Sequence, residues 1–208
     1  MYKFNYYTEE DSEKVIAFMK ENSFAIIIGA GENYPVATQI PLHIQHHNGS
    51  LTFSGHLMKN TDHHKAFLQN ENVLVIFTGP HCYVSASWYT VPNVGSTWNY
   101  MSVHAKGRIK FGNEAETKKA VENITNKYEK PGSEAAFDKL PTEYVDRLVK
   151  AITAFTIEVE SIDNVFKLSQ NHDEKTRRSI IGHLRKNGSD NERLIAEEME
   201  QRLEMPKQ

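Results

Sequence analysis

Alternation of hydrophobic and polar residues predicts β-strands along much of the chain. The stretches 24–28 ("FAIII") and 72–79 ("NVLVIFTG") are almost wholly apolar, which indicates buried strands. The stretch 35–45 predicts another strand, and the Asn-Gly hairpin signal after it leads into a returning strand over 50–55. Further strands are predicted over 82–89, 96–111 and 151–162.

Helical spacing of apolar residues occurs between these strands and after the last one. Thr8, with Asp11 three residues later, is predicted to cap a first helix. Asn113 and Glu116 have capping-box spacing and predict a helix that stops before Pro131. Further helices are predicted over 60–69, over 141–151 and from residue 173 onward, with a break at 187–190.

Antiparallel strands with inserted and appended helices predict a mainly β (α+β) fold. About six strands joined by hairpins favour a closed or half-closed barrel. No G-x-G-x-x-G follows a predicted strand, and the glycines at 29–31 lead into a strand instead of a helix. A dinucleotide-binding Rossmann domain is therefore disfavoured.

Composition and charge narrow the class of protein. The 208 residues are 39% hydrophobic and 25% charged, and the net charge is −3, so neither disorder nor generic nucleic-acid binding is expected. The single cysteine, Cys82, excludes an intramolecular disulfide and fits a reducing compartment. No apolar run approaches the ~20 residues of a membrane span, and no signal peptide is evident, so we expect a cytoplasmic protein without a membrane partner.

The stretch 54–67 ("SGHLMKNTDHHKAF") joins the end of a strand to the start of a helix. Helix N-termini offer unpaired N–H groups to phosphate, and Gly55 would let a ligand approach the backbone. The cationic or donor residues at this point are His56, Lys59, His63 and His64. The alternative is a capped helix with solvated histidines, and the residues by themselves leave both interpretations open.

Two other stretches are candidates for ligand contact. Thr38 and Gln39 lie beside Pro41, which cannot donate a ladder hydrogen bond and belongs at a sheet edge or bulge. The region 80–107 holds both tryptophans among short hydrogen-bonding residues. Such a mixture suits an aromatic ligand with polar edges, but aromatic side chains are also enriched at subunit interfaces. A simple bent strand and an interface remain the respective alternatives.

Metal and nucleophile chemistry have weak support. The ten histidines include no H-E-x-x-H and no cysteine at zinc spacing, so no metal site is expected. No G-x-S-x-G is present, and Cys82 lies in a predicted strand as a small buried residue. If the protein catalyses a reaction, a cofactor is expected to carry the chemistry.

The stretch 172–186 predicts a locally basic helix. Arg177, Arg178 and Arg185 could contact DNA phosphates. The alternative, which we favour, is the solvated face of a helix that docks on the rest of the fold.

Three of these stretches together resemble the PaiB family of FMN-binding split-barrel proteins, relatives of the pyridoxamine-phosphate-oxidase-like flavoproteins. They are 54–67, 77–111 with its "HCYVSASWY" and "STWNYMSVHAKG" segments, and 166–184 ("FKLSQNHDEKTRRSIIGHL"). The resemblance runs in order from residue 1 to about residue 184. It implies a six-stranded antiparallel Greek-key split barrel, a homodimer, FMN at the dimer interface and a role as negative transcriptional regulator.

The resemblance also implies positions for the cofactor. Thr38, Gln39, Ile40 and Pro41 would follow the flavin ring edge, and Ser54, Lys59 and Asn60 would hold the phosphate beside Gly55 and His56. The side chains that would close the site, partly from the partner subunit, are Trp98, Asn99 and His104. By a looser analogy, Lys167, Ser169 and Gln170 would contact the cofactor.

Two features depart from the family pattern: the loop 90–95 is short, and His172 stands where a basic Arg or Lys is expected. The expected organisation is a split barrel over 1–172 and a charged helical extension over 173–208. The leading hypothesis is a flavin-dependent negative regulator with DNA as a partner. The alternatives are an FMN-dependent oxidoreductase acting on a small molecule with NAD(P)H, and a haem-handling split-barrel protein.

Overall fold

The fold is mixed α+β in a computed structural model that describes residues 1 and 4–204, apart from the side chain of Asn187. Strands dominate the middle of the chain, and two helices follow the last strand. The elements are α1 (Ser12–Glu21), β1 (Phe24–Gly29), β2 (Val36–Pro41), β3 (His43–His47), β4 (Ser50–Met58), α2 (Asp62–Gln69), β5 (Asn72–Val84), β6 (Thr97–Phe111), α3 (Glu114–Tyr128), α4 (Thr142–Ala151), β7 (Ile152–Lys167), α5 (Glu174–Asn187) and α6 (Asp190–Glu204). Short 3₁₀ turns cover Asn5–Tyr7, Ala86–Trp88 and Phe137–Lys139.

The chain divides into two compact units, each assembled from separated segments. The sheet unit comprises Met19–Phe77 and His104–Ile162. The terminal unit comprises Met1–Phe18, Thr78–Val103 and Asp163–Gln208, of which residues 2, 3 and 205–208 lie outside the described part. The expected division into 1–172 and 173–208 stays a prediction.

Seven antiparallel strands, rather than the six expected, form the sheet, in the order β2-β1-β5-β6-β7-β4-β3. The predicted strand 35–45 is two strands, because the Leu42 amide donates to the Ser23 carbonyl (2.8 Å) and leaves the ladder. Conversely, the predicted strands 72–79 and 82–89 form the single strand β5 up to Val84. The sheet is not closed into a barrel, since β2 and β3 are its opposite edges and no ladder joins them within the described residues.

Aromatic residues fill the core of the sheet unit. The rings of Phe53 on β4 and Phe77 on β5 meet edge to face with centroids 5.2 Å apart, and both are fully buried. Helix α2 packs closely on β1, because a Cβ at Gly29 would lie 2.6 Å from the Phe67 ring. Each such buried ring contributes about 1.5–3 kcal/mol by leaving water.

Helices α5 and α6 supply much of the core of the terminal unit. Ile180 and Leu184 on α5 and Ile195 and Met199 on α6 are buried at helical spacing. The Asp173 side chain caps α5 by accepting from the Thr176 N–H at 2.7 Å. The predicted break at 187–190 is confirmed, since α5 ends at Asn187 and α6 begins at Asp190.

The prediction that Thr8 caps the first helix is wrong. The Asp11 carboxylate accepts from the Glu13 N–H at 3.0 Å and therefore caps α1. Thr8 instead follows the 3₁₀ turn Asn5–Tyr7, and its hydroxyl donates to the Phe4 carbonyl. Within the described residues, no helix has both the length and the apolar character needed to cross a bilayer.

Candidate functional site

A small pocket in the sheet unit brings together several of the predicted residues. Its volume is about 30 Å³, and the strands contribute Pro41, His43, Ser54, Gly55 and His56 to its lining. Helix α3 forms the other wall with Ala120, Asn123, Ile124 and Lys127. None of these α3 residues was predicted, because no motif marks them and only the folded chain brings them to the strands.

An open cleft of about 450 Å³ adjoins this pocket and shares Ser54, Ala120 and Asn123 with it. The cleft has the volume of a small-molecule site, whereas the pocket accommodates only the small end of a ligand. The cleft also contains charges of both signs: Lys110 and Lys119, Glu116 and Glu158.

His56 is the half-buried titratable group of the pocket. Burial lowers the pKa of its imidazole, because the charged form loses hydration. His56 is therefore neutral at neutral pH and offers one N–H donor and one nitrogen acceptor. It can orient a ligand through hydrogen bonds, but it adds no positive charge.

Gly55 is closely surrounded by neighbouring atoms within the sheet. A Cβ at this position would lie 3.0 Å from the ring of Phe155, its cross-strand partner on β7, and 3.4 Å from the Pro41 carbonyl oxygen. Protein atoms therefore occupy the space that the missing side chain leaves on this side. The predicted role of Gly55 in ligand approach stays a prediction.

The start of α2, expected to hold a phosphate, makes its own capping hydrogen bonds. The Thr61 hydroxyl accepts from the His64 N–H at 3.3 Å, and the Asn60 N–H donates to His64 Nδ1 at 3.1 Å. Asn60 has a φ of 64°, and the Lys59 ammonium lies 3.5 Å from the Val149 carbonyl at the end of α4. Burial lowers the pKa of His64, and electrostatic interactions with His63 and Lys59 add to this effect. These donors are thus engaged with protein groups.

Thr38, Gln39 and Ile40 lie on the edge strand β2. Ile40 is buried, whereas Gln39 is exposed opposite Ile26 of β1. An edge strand directs alternate backbone groups away from the sheet, where a planar ligand could bind them. His104 lies half-buried on β6 of the same unit and does not line the pocket.

The remaining predicted residues gather in the terminal unit. The Asn99 amide donates to the Ser169 hydroxyl at 3.0 Å, and this hydroxyl donates back to the Asn99 carbonyl oxygen at 3.1 Å. Both side chains are buried, and Ser169 has a φ of 62°. The side-chain amide oxygen of Gln170 accepts a hydrogen bond from the Leu168 N–H at 2.7 Å. The Lys167 ammonium donates to the Thr97 hydroxyl, and burial lowers the pKa of this ammonium.

The two tryptophans have different surroundings within the terminal unit. Trp98 is 54% exposed, and its ring lies about 6 Å from those of His81 and Tyr83. Trp88 stacks on His183 of α5, with centroids 5.3 Å apart and planes 6° apart. Trp98 therefore presents an aromatic surface, whereas Trp88 fixes the loop to a helix.

The three arginines of the basic helix α5 are engaged with acidic or buried groups. Arg178 pairs with Glu174 at 2.7 Å, and Arg185 makes a two-pronged contact with Glu200 of α6. The Arg177 guanidinium is partly buried, and burial lowers its pKa. Exposed ion pairs contribute only about 0–1 kcal/mol to stability, so DNA phosphates could replace the carboxylate partners of Arg178 and Arg185. Arg177 is less accessible to a phosphate, because its guanidinium is partly buried.

Cys82 is only 3% exposed on β5. Burial, with a smaller effect of the Glu192 carboxylate, raises the pKa of its thiol to about 12. The thiol is therefore protonated and unreactive at neutral pH. In the chain from residue 4 to residue 204, no group of three or more His, Cys, Asp or Glu side chains is arranged to hold a metal ion.

Comparisons with known proteins identify relatives along the whole chain. The protein is 33% identical over 204 residues, 98% of each chain, to "Protease synthase and sporulation protein PAI 2" of Bacillus subtilis (strain 168). An uncharacterized protein of Emericella nidulans, AN0679, is 28% identical over 193 residues, 76% of this chain and 77% of its own.

Solved structures with the same fold are more distant in sequence. The flavocytochrome Anf3 from Azotobacter vinelandii has a TM-score of 0.62 at 15% identity, over 86% of this chain and 78% of its own. The FAD and heme binding protein from Mycobacterium smegmatis has a TM-score of 0.58 at 15% identity, over 83% and 78%. These similarities establish the fold alone.

A family model described as "Putative FMN-binding domain" matches residues 1–161, which include both walls of the pocket. The B. subtilis relative extends the similarity through α5 and α6 to almost the whole chain. The chain belongs to this FMN-binding domain family.

Proposed function

We propose that this protein is a PaiB-type flavoprotein that binds FMN and acts as a flavin-dependent negative transcriptional regulator. The observation that carries the proposal is that Pro41, Ser54 and His56 line one pocket within the family-matched region. These residues were predicted as cofactor contacts in two separate stretches of the sequence. The proposal includes a homodimer, a split-barrel arrangement with Greek-key connections and a cytoplasmic location.

The proposed site assigns the flavin ring and its phosphate to different residues. The ring edge lies along the outward backbone of Thr38–Pro41, and the ribityl phosphate lies toward Ser54 and His56. Trp98 is proposed to cover the ring from the partner subunit, because an exposed indole provides a flat apolar surface. When bound, FMN would supply a ring system that accepts or donates a hydride.

The residues of the terminal unit have a positioning role in this proposal. Asn99 and Ser169 hold each other, and Gln170 closes the turn that follows β7. Lys167 is the group that could rotate from Thr97 to a ligand. Asn60 and Lys59 remain proposed phosphate contacts, although both would first release their present acceptors.

The first test is the absorption spectrum of the purified protein, followed by titration with FMN. We expect the flavin bands in the visible range and saturation at one FMN per chain. His56→Ala and Trp98→Ala should weaken FMN binding, whereas His47→Ala on the exposed part of β3 should not. A colourless protein that takes up no FMN contradicts the proposal, and a haem Soret band or steady NAD(P)H oxidation favours one of the two alternatives.

The regulatory part depends on DNA and is tested separately. Replacing Arg177, Arg178 and Arg185 by Glu should abolish salt-sensitive promoter binding if α5 contacts phosphates. Arg193→Glu on the exposed surface of α6 is the matched control, since Arg193 pairs locally with Asp190. Binding that is unchanged in the triple variant removes α5 from the DNA interface.

A further inference from the structure

Helix α3 supplies the permanent positive charge of the small pocket. Lys127 is the one lysine or arginine among its lining residues, and no aspartate or glutamate lines it. The neighbouring cleft differs, because its lysines are balanced by Glu116 and Glu158. Of the two spaces, only the pocket has a lining with net positive character.

Lys127 also differs from the other lysines near the site. Lys110 pairs with Glu158 at 2.7 Å, Lys119 with Glu122 at 2.9 Å and Lys118 with Asp146 at 3.9 Å. The Lys127 ammonium instead donates to the Ser23 hydroxyl at 3.2 Å and lies 5.1 Å from the Tyr128 ring centroid. In the part of the chain that the structure describes, it has no carboxylate partner.

The neutral groups around Lys127 complete an anion site. The Asn123 amide on the preceding helical turn and the Ser54 hydroxyl on β4 provide hydrogen-bond donors. Ser54 and Asn123 line both the pocket and the cleft, so they lie where the two spaces meet. A volume of about 30 Å³ is far too small for a fused ring, so only a compact terminal group of a ligand could enter the pocket.

We propose that Lys127 and Asn123 of α3 recognise the phosphate of the flavin and so select FMN over riboflavin. This inference rests on the proposed function. It assigns recognition of the phosphate to helix α3, which lies outside the three stretches on which the family resemblance depends. Lys59 does not line the pocket, so Lys127 is the lysine that an anionic group in the pocket would meet.

The test compares the dissociation constants of FMN and riboflavin, measured by flavin fluorescence, in the full-length protein. Lys127→Met should weaken FMN binding about tenfold to a hundredfold, as expected for one charge-assisted hydrogen bond, and leave riboflavin binding unchanged. Asn123→Ala should have a smaller effect of the same kind. Lys127→Arg should restore most of the affinity, and inorganic phosphate should compete with FMN but not with riboflavin.

Lys118→Met is the control, because it removes the same charge from the same helix at a position outside the pocket. Far-UV circular dichroism verifies that each variant is folded. Wild-type protein that binds flavins, with Lys127→Met affecting both flavins equally or neither, overturns this inference alone. Inorganic phosphate that binds without competing with FMN occupies another site and also overturns it. Wild-type protein that binds no flavin overturns the proposed function together with this inference.

Discussion

At the scale of single residues, Gly107 shows how tightly two neighbouring strands approach. A Cβ on this residue of β6 would lie 2.3 Å from the Glu158 carbonyl oxygen of β7. Backbone cannot move aside as a flexible side chain can, so even one methyl group has no space. Gly182 of α5 is the opposite case, because no atom beyond the backbone of its own helix lies within 4 Å of its added Cβ.

These two glycines give a paired stability prediction. Gly107→Ala should lower the free energy of unfolding by about 1–3 kcal/mol, because the added methyl group overpacks the sheet. Gly182→Ala should raise it by up to about 1 kcal/mol, since alanine favours the helical backbone. Urea unfolding followed by circular dichroism measures both. If both substitutions change the free energy of unfolding equally, the close approach of β6 and β7 at Gly107 does not determine the effect of an added methyl group.

His56 makes stability depend on pH. Its pKa is lowered in the folded protein, so the unfolded chain binds a proton more readily below pH 6.5, the ordinary histidine value. The free energy of unfolding should therefore fall as the pH is lowered from neutral toward 5. The burial of His64 and His172 acts in the same direction.

His56→Gln should make this pH dependence shallower in the flavin-free protein, because glutamine does not titrate. The measurement is the urea midpoint at several pH values between neutral and 5. The exposed His47→Gln is the matched control and should leave the slope closer to that of the wild type. If the two variants have the same slope, burial of His56 is not the cause.

At the scale of elements, local signals succeeded where both interacting groups are close in sequence. The predicted capping box of α3 is confirmed: the Asn113 side chain accepts from the Glu116 N–H at 3.0 Å, and the Glu116 carboxylate accepts from the Asn113 N–H at 2.7 Å. The predicted N-cap of the first helix is wrong because threonine and aspartate are both favourable N-cap residues. Thr8 ends the turn Asn5–Tyr7, and Asp11 caps the helix instead.

Asn113→Ala should lower the free energy of unfolding by about 1 kcal/mol, since it removes the side-chain acceptor of the capping box. Asn126→Ala, at an exposed position within the same helix, should change it by less than about 0.5 kcal/mol. Thermal or urea unfolding distinguishes the two. A cap variant as stable as the wild type would indicate that packing alone holds the start of α3.

At the scale of the whole molecule, flavin binding and self-association should change stability. At free FMN a hundredfold above its dissociation constant, binding to the folded state alone adds about 2.7 kcal/mol. We therefore expect a higher melting temperature with FMN in a thermal-shift experiment, and no comparable shift with the same concentration of adenosine monophosphate. An unchanged melting temperature at saturating FMN contradicts specific binding to the folded protein.

The proposed homodimer is tested by sedimentation. Analytical ultracentrifugation should give twice the 23.8 kDa mass of the chain. Trp98→Ala should shift the equilibrium toward monomer, because its exposed aromatic surface would otherwise be covered by the partner. His81→Ala is the control, because it removes a smaller ring from the same exposed aromatic cluster. A monomer at all concentrations removes the partner subunit from the proposed site.

Patterns within short stretches of the chain predict the class of fold and most of its elements. Strand periodicity, the Asn-Gly hairpin and the capping box of α3 depend on residues a few positions apart, so they are visible without coordinates. The ordered stretches around His56, Trp98 and Ser169 were also sufficient to indicate the FMN-binding family that the comparisons established.

Contacts between residues far apart in the sequence are visible only in the folded chain. The predicted strand 35–45 is interrupted because the Leu42 amide donates a hydrogen bond to the Ser23 carbonyl. Arg185 forms an ion pair because α6 places Glu200 beside it. The pocket gains its one permanent cation because α3 packs beside β4, about 70 residues away along the chain. Local patterns cannot specify such contacts, since they arise from the burial of whole faces of helices and sheets rather than from neighbouring residues.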